Sequence, residues 1–291
     1  MKNDFFNYIE YQKRYSSHTI TSYKNDLHQF EKYLGDSYDE CLETATYPMI
    51  RSWVVHLIEN TYHITSIHRK ISCVKAFYNY LHKQNKIQGN PARNIQLPKS
   101  PKKLPVFLTE QQTDRLLDKM TFPDTFEGVR DKVIIELFYS TGIRVSELVN
   151  LKEEDIDESA QLIKVSGKRK KQRIIPVSDR LLRIIKNYQN EKNNLFENTF
   201  SLLFVTIKGK KAYTKLIYRI VNKYLKQVST AEKRSPHVLR HTFATHMLNN
   251  GADINAIKEL LGHASLSATQ VYTHNTVDRI KSIYKHAHPR A

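Results

Sequence analysis

The fold class this sequence predicts is mainly α: a helical N-terminal module, a proline-rich connector, and a larger, mainly helical module with a small antiparallel sheet. Three observations carry that prediction. Apolar residues recur at steps of three and four through the first 88 positions. "QGNPARNIQLPKSPKKLP", with one Gly and four Pro, then breaks any regular element up to residue 105. Beyond it, one stretch, "QLIKVSGKRKKQRIIPV", turns from helical periodicity to two short β-rich runs around a basic turn.

The elements follow in order. Ile20, Tyr23, Leu27, Phe30 and Leu34 mark one face of a first amphipathic helix. Ile50, Trp53, Val54, Leu57 and Ile58 mark a second, and Ile67, Ile71, Val74, Phe77, Tyr78 and Leu81 a third. No strand-like alternation interrupts them, so residues 1–88 read as one helical module and 89–105 as the linker. The second module, 106–291, opens on "LTEQQTDRLLDKM", where Thr109 and Gln112 form a capping box. Helices continue through "VIIELFYSTGIRVSELVNL"; after the hairpin, "SLLFVT" reads as one more short strand, and helices return in "HVLRHTFATHMLNNGADINAIKELLGHAS".

Composition narrows the partners. The 291 residues carry 46 Lys and Arg against 29 Asp and Glu, a formal net charge of +17. Such an excess calls for a polyanion, and nucleic acid is the first choice. A membrane span needs about 20 continuous apolar residues, and no apolar run here exceeds a few. The start, "MKNDFFNYIEYQKRY", mixes acids among its apolar residues and does not read as a secretory signal. Two cysteines, Cys41 and Cys73, have no metal-ligand spacing and are expected as buried thiols in a reducing, cytoplasmic compartment.

Four stretches could carry chemistry. In "TGIRVSELVNL", Gly142 turns the chain just before a helix, so Arg144 stands near a helix start, where an anion is favoured. A surface pair between Arg144 and Glu147 is the plainer reading of the same letters. In the hairpin, Lys164, Lys168, Arg169, Lys170, Lys171 and Arg173 place six positive charges in ten residues with no acid among them. DNA would compensate them. In "SPHVLRHTFATHML", His237 and Arg240 share a helix face and can address one phosphate together, the Arg by charge and the His by moving a proton. His241 and His246 lie off that face. Finally, in "LLGHASLSATQVYTHN", His263 follows a helix-ending Gly262, and Tyr272 comes nine residues later. A phenol could attack phosphorus only among cations that stabilise its anion.

Arg144, Lys168, His237, Arg240, His263 and Tyr272 resemble, in order and context, the catalytic set of the tyrosine recombinase (integrase) family. "HVLRHTFATHMLNNGADINAIKELLGHASLSATQVYTH" is similar to that family's signature almost letter for letter, and "TGIRVSEL" and "GKRKKQRIIPV" resemble its other boxes. The likeness spans essentially the whole chain and is greatest to the Xer-type chromosome-dimer resolvases. It implies a SAM-like, four-helix-type DNA-clamping domain before the linker and a DNA breaking-rejoining fold after it. By the same resemblance Tyr272 is the nucleophile, forming a 3′-phosphotyrosyl bond to duplex DNA. Arg144 and Arg240 would clamp the phosphate, His237 would move the phenolic proton, Lys168 would protonate the leaving 5′ oxygen, and His263 would hydrogen-bond a phosphate oxygen. Glu147 would orient its neighbours, and Lys164, Arg169, Lys170, Lys171 and Arg173 would contact DNA.

No cofactor and no metal are expected, because guanidinium and ammonium groups would meet the phosphate's charge. The expected partner is a double-stranded DNA recombination site, bound by a tetramer of this chain or of this chain with a paralogue. Whether an activator protein takes part is left open. Val277, Ile280, Ile283 and Tyr284 near the C-terminus form an apolar face that suits either a neighbouring subunit or the chain's own core. A phage or transposon integrase with identical chemistry fits these motifs too. A DNA-binding protein without the chemistry fits less well, since all six positions are present.

Overall fold

The steps of three and four at Ile20, Leu27, Phe30 and Leu34 fall on one buried face of a single helix, α2 (Ser17–Tyr38). Ser16 caps its start by accepting the Thr19 N–H, and Asp39 ends it in the left-handed region. Around it in this computed structural model lie α1 (Lys2–Asn7, extended by a π-helical turn Tyr8–Gln12), α3 (Tyr47–Glu59) and α4 (Ile64–Lys83). The structure describes residues 1–99, 106–167, 172–196, 201–262 and 274–291, the side chains of 274–276 excepted.

The chain divides into two units, Met1–Lys103 and Leu104–Ala291. In the first, Phe30 meets Trp53 at 4.7 Å between ring centroids and Phe5 meets Phe77 edge-on at 5.4 Å. The buried carboxylate of Asp26 is held by Arg69 and, at 3.1 Å, by Lys70, which ties α2 to α4. Two sequence expectations change here. Ala92 and Ile95, placed in the linker, are buried in this core, so the stretch after residue 88 begins as part of the first unit. Cys73 is buried as expected, but Cys41, in the turn between α2 and α3, is exposed.

In the second unit the Thr109–Gln112 capping box forms as read: the Thr109 N–H donates to Gln112 Oε1 at 3.0 Å and the Gln112 N–H to Thr109 Oγ1 at 3.3 Å. It starts α5 (Glu110–Asp114), which runs into a second π-helical turn, Arg115–Lys119. The centre of the unit is α6 (Phe126–Thr141), buried without a break from Val133 to Thr141 because other helices cover it on several sides. After the short α7 (Val145–Leu148) come β1 (Ile156–Asp157), β2 (Leu162–Ser166) and β3 (Gln172–Pro176), in the order β1-β2-β3 and antiparallel throughout. Val165 stands opposite Arg173 in this register.

After the sheet come α8 (Asp179–Leu195), α9 (Thr214–Val228), α10 (Pro236–Asn249) and α11 (Ile254–Leu261), with one more helix after them. The expected strand at "SLLFVT" is reduced to isolated bridges, Lys152 with Leu202 and Val205 with Lys211. Leu203, Phe204 and Val205 are consecutively buried, so this run is apolar because it is enclosed rather than because it alternates in a ladder. The last helix, α12 (His274–Ala287), turns Ile280, Tyr284 and Ala287 into the core of its own unit, the second of the two destinations the sequence left open. Tyr284 stacks on His288 at 4.8 Å, Asn250 donates to the Ala287 carbonyl at 3.0 Å, and Arg290 pairs with Asp118. Among the described residues no helix is long and apolar enough to cross a membrane.

Candidate active site

Gly142 ends α6 with φ +58°, and a Cβ there would lie 2.6 Å from Leu261 Cδ2 and 2.8 Å from Phe243 Cδ1. Only glycine supplies both that dihedral and that space. The turn it makes delivers Arg144 as the residue capping the start of α7. The Arg144 backbone N–H donates to Glu147 Oε2 at 2.9 Å, and its Nη1 donates to Glu147 Oε1 at 2.7 Å. Both readings of this residue are therefore realised: it stands at a helix start, and it is paired with Glu147.

What sets the geometry is the far end of α11. A helix leaves its last carbonyls without internal partners and carries partial negative charge there. Gly262, at φ +65°, ends α11 as the sequence predicts, and three successive carbonyls each take one guanidinium. Leu260 accepts from Arg173 Nε at 2.6 Å, Leu261 from Arg240 Nη2 at 2.7 Å, and Gly262 from Arg144 Nη2 at 2.8 Å. Arg240, on α10, also donates from Nη1 to the Gly142 carbonyl at 2.5 Å. Among the described residues the carboxylate bound into this arrangement is that of Glu147, which takes Arg173 Nη1 and Nη2 on its two oxygens at 2.8 and 2.9 Å. Within this hydrogen-bonded group of described residues, three cations and one anion sum to 3 − 1 = +2.

The three arginines are not equivalent. Arg173 is 5 % exposed, whereas the Arg144 side chain is 33 % exposed and Arg240 is half-buried. Arg173, expected to contact DNA, is thereby corrected: its strand turns it inward and a bidentate pair to Glu147 occupies it. Period-two alternation could have shown this, since Arg173 and Ile175 lie on one side of β3 and both are buried. Gly142 is legible as a turn before a helix, but that the α11 carbonyls would seat three guanidiniums has no such signal in the sequence. Lys164 is exposed on β2.

Electrostatics favour an added anion. Burial first, and then the charges of Arg144 and Arg173, hold the Arg240 guanidinium below the ordinary arginine range, with Glu147 opposing. Burial would raise the Glu147 carboxyl, but hydrogen bonds and charge from Arg173, with the Arg144 contacts, outweigh it and keep the group below its usual value. Glu147 is thus a fixed negative charge suited to orienting arginines. His237 is exposed on α10, one helical turn before Arg240, with the Tyr218 ring 6.5 Å away. Partial burial first, then Lys233, His241 and Arg240, lower its affinity for a proton, so it is neutral and able to accept one near pH 7.

His246 is structural, as its sequence context suggested. It is buried, bonded through Nδ1 to Tyr139 Oη at 3.0 Å and through Nε2 to the Leu108 carbonyl at 2.9 Å. His241 is exposed. Among the described residues no cluster of His, Cys, Asp and Glu could hold a metal ion. The structure thus brings Arg144, Arg240 and Glu147 together, with Arg173 behind them. Lys168, Arg169, Lys170, Lys171, His263 and Tyr272 lie outside the described residues.

The chain is similar to known proteins over nearly its whole length. Residues 106–279 match the phage integrase family, and residues 3–85 match the phage integrase N-terminal SAM-like domain. The tyrosine recombinase XerC of Thermodesulfovibrio yellowstonii is 41 % identical, over 98 % of this chain and 95 % of its own. The XerC of Staphylococcus aureus is 38 % identical, over 100 % of this chain and 97 % of its own. Among solved structures, the XerH site-specific recombinase bound to a palindromic difH substrate, a post-cleavage complex, superposes with a TM-score of 0.73 at 23 % identity. It spans 93 % of this chain and 76 % of that one.

Proposed function

We infer the function from one premise: the chain belongs to the phage integrase family, the tyrosine recombinases. It is a site-specific recombinase that cuts and rejoins duplex DNA through a 3′-phosphotyrosyl intermediate. The observation that carries this reading is the pair of partly open arginines, Arg144 and Arg240, seated on adjacent carbonyls at the end of α11 with charge in excess. They suit a phosphodiester, whose two non-bridging oxygens gain charge as a fifth oxygen approaches phosphorus.

The remaining steps are assigned residue by residue. Tyr272 Oη forms the bond to phosphorus as the bond to the 5′ oxygen breaks. His237 takes the phenolic proton, and its lowered proton affinity leaves the ring neutral and free to receive one. Lys168 gives a proton to the departing 5′ oxygen, and His263 hydrogen-bonds a phosphate oxygen. The phosphotyrosyl ester conserves the energy of the broken bond, so the 5′-hydroxyl of a partner strand reverses the step on new DNA without ATP or any other cofactor. Lys164, Arg169, Lys170 and Lys171 supply contacts to the DNA backbone, and the N-terminal helical unit adds DNA contacts of its own.

Four protomers on two recombination sites form the working complex, either four copies of this chain or two of it with two of a paralogue. Near full-length similarity to XerC proteins favours the resolution of chromosome dimers, in the cytoplasm, over a mobile-element role. The test is a nicked suicide duplex, from which the short 5′-hydroxyl fragment diffuses after cleavage. The wild-type protein is expected to become covalently attached to it, and Tyr272→Phe is expected not to. Equal trapping by both proteins would remove Tyr272 as nucleophile.

A further inference from the structure

We propose that Arg173 is a positioning residue of the cleavage reaction: from β3 it holds Glu147 and the end of α11, and through them it sets the spacing and the free charge of Arg144 and Arg240. This rests on the recombinase reading above.

The geometry has two parts. First, Arg173 ties three elements with one rigid group. Its Nε donates to the Leu260 carbonyl at 2.6 Å, and its Nη1 and Nη2 donate to the two oxygens of Glu147 at 2.8 and 2.9 Å. The next two carbonyls, of Leu261 and Gly262, seat Arg240 and Arg144. Any shift of the α11 end relative to α7 therefore moves both phosphate-facing guanidiniums. A planar fork fixes such a joint in a way that a single ammonium cannot. The contact is close on every side, because the Arg173 side chain passes 3.1 Å from where a Cβ on Gly262 would sit.

Second, Arg173 shares the carboxylate of Glu147. Glu147 accepts from Arg144 on both of its oxygens and from Arg173 on both as well. Without Arg173, Glu147 would bind Arg144 alone, and the cluster would fall from +2 to 2 − 1 = +1. Arg144 would then be drawn into its own ion pair when it should meet a phosphate. Arg173 itself is 5 % exposed and its guanidinium is engaged on two sides, so it acts on the phosphate only through others.

The experiment compares wild type, Arg173→Lys, Arg173→Met and the double variant Arg173→Met with Glu147→Gln. Each is measured for cleavage of the suicide duplex at saturating protein, for DNA affinity across a salt series, and for thermal unfolding. Arg173→Lys is expected to cut about 100-fold more slowly, the scale of a misplaced catalytic group. Its DNA affinity and salt slope should match wild type. The double variant removes the sequestering carboxylate together with its partner, and should cut faster than Arg173→Met alone. A scissile methylphosphonate, which removes one phosphate charge, should shrink the Arg173→Lys defect, whereas a merely misfolded protein would stay equally slow on both substrates. Wild-type cleavage rates in folded Arg173→Lys would overturn the proposal. So would a DNA affinity well below wild type in folded Arg173→Lys, the mark of a direct phosphate contact. Failure of the wild-type protein to form any covalent complex would instead overturn the recombinase reading.

Discussion

Replacing Gly142 by alanine tests how the fold builds the site. The added methyl enters a left-handed backbone position, where an L side chain costs about 1–2 kcal/mol. It would also lie 2.6 Å from Leu261 Cδ2 and 2.8 Å from Phe243 Cδ1, both in the core. Overpacking of that kind costs about 1–3 kcal/mol. Together these predict a loss of roughly 2–5 kcal/mol, or roughly 5–20 °C in Tm for a unit of this size. The effect on cleavage should exceed the effect on stability, because the Gly142 and Leu261 carbonyls are the two acceptors of Arg240. Differential scanning calorimetry gives the first quantity, and single-turnover cleavage of the suicide duplex well below the variant's Tm gives the second. A Gly142→Ala protein with wild-type Tm and wild-type cleavage would refute the reasoning that this turn fixes Arg240.

Three further outcomes follow from particular groups. Glu147→Gln leaves Arg173 buried without its counter-charge and should cost about 3–5 kcal/mol in chemical denaturation. Because the folded carboxyl lies below its ordinary value of 4.5, its contribution is complete above about that pH and is lost as pH falls through the folded value, so the variant should lack this acid-limb loss. His288, buried against Tyr284, Tyr139 and Phe243, is pulled down to about 4 from 6.5, chiefly by burial. Stability should therefore fall by about 3 kcal/mol as pH drops from 6.5 to 4, and a His288→Phe variant followed by circular dichroism should show a flatter pH dependence over that window. Lys164→Ala should weaken binding to any duplex and reduce the slope of log K against log salt by about 0.9, measurable by fluorescence anisotropy. An unchanged slope would remove Lys164 from the DNA contacts.

Much of this was legible in the letters because local rules act alone there. The faces of α2 and α4, the capping box at Thr109, the C-cap at Gly262 and the shared face of His237 and Arg240 depend on neighbours within about two turns. The rest depends on partners far along the chain. Arg173 reads as one more cation in a basic hairpin until Leu260, 87 residues away, supplies a carbonyl for it. Arg130, Asp131 and Glu136 lie buried in α6, and their charge conceals that this helix, legible as a helix, is the enclosed centre of its unit. At 203–205 three consecutive apolar residues could have paired in a sheet or filled a core, and only the surrounding helices decide for the core. Ala92 and Ile95 lie among the breakers Pro91 and Pro98, whose presence concealed that the chain still packs there.

The central claim is that one tyrosine joins this chain to a 3′ phosphate of DNA, and identifying the adduct tests it most directly. Wild-type protein trapped on a suicide duplex labelled on the 3′-phosphate side of the scissile bond would be digested, and the nucleotide-bearing peptide sequenced by mass spectrometry. The account predicts one modified peptide, with the labelled strand joined through its 3′ phosphate to Tyr272. An adduct on another residue, or one joined through a 5′ phosphate, would contradict it.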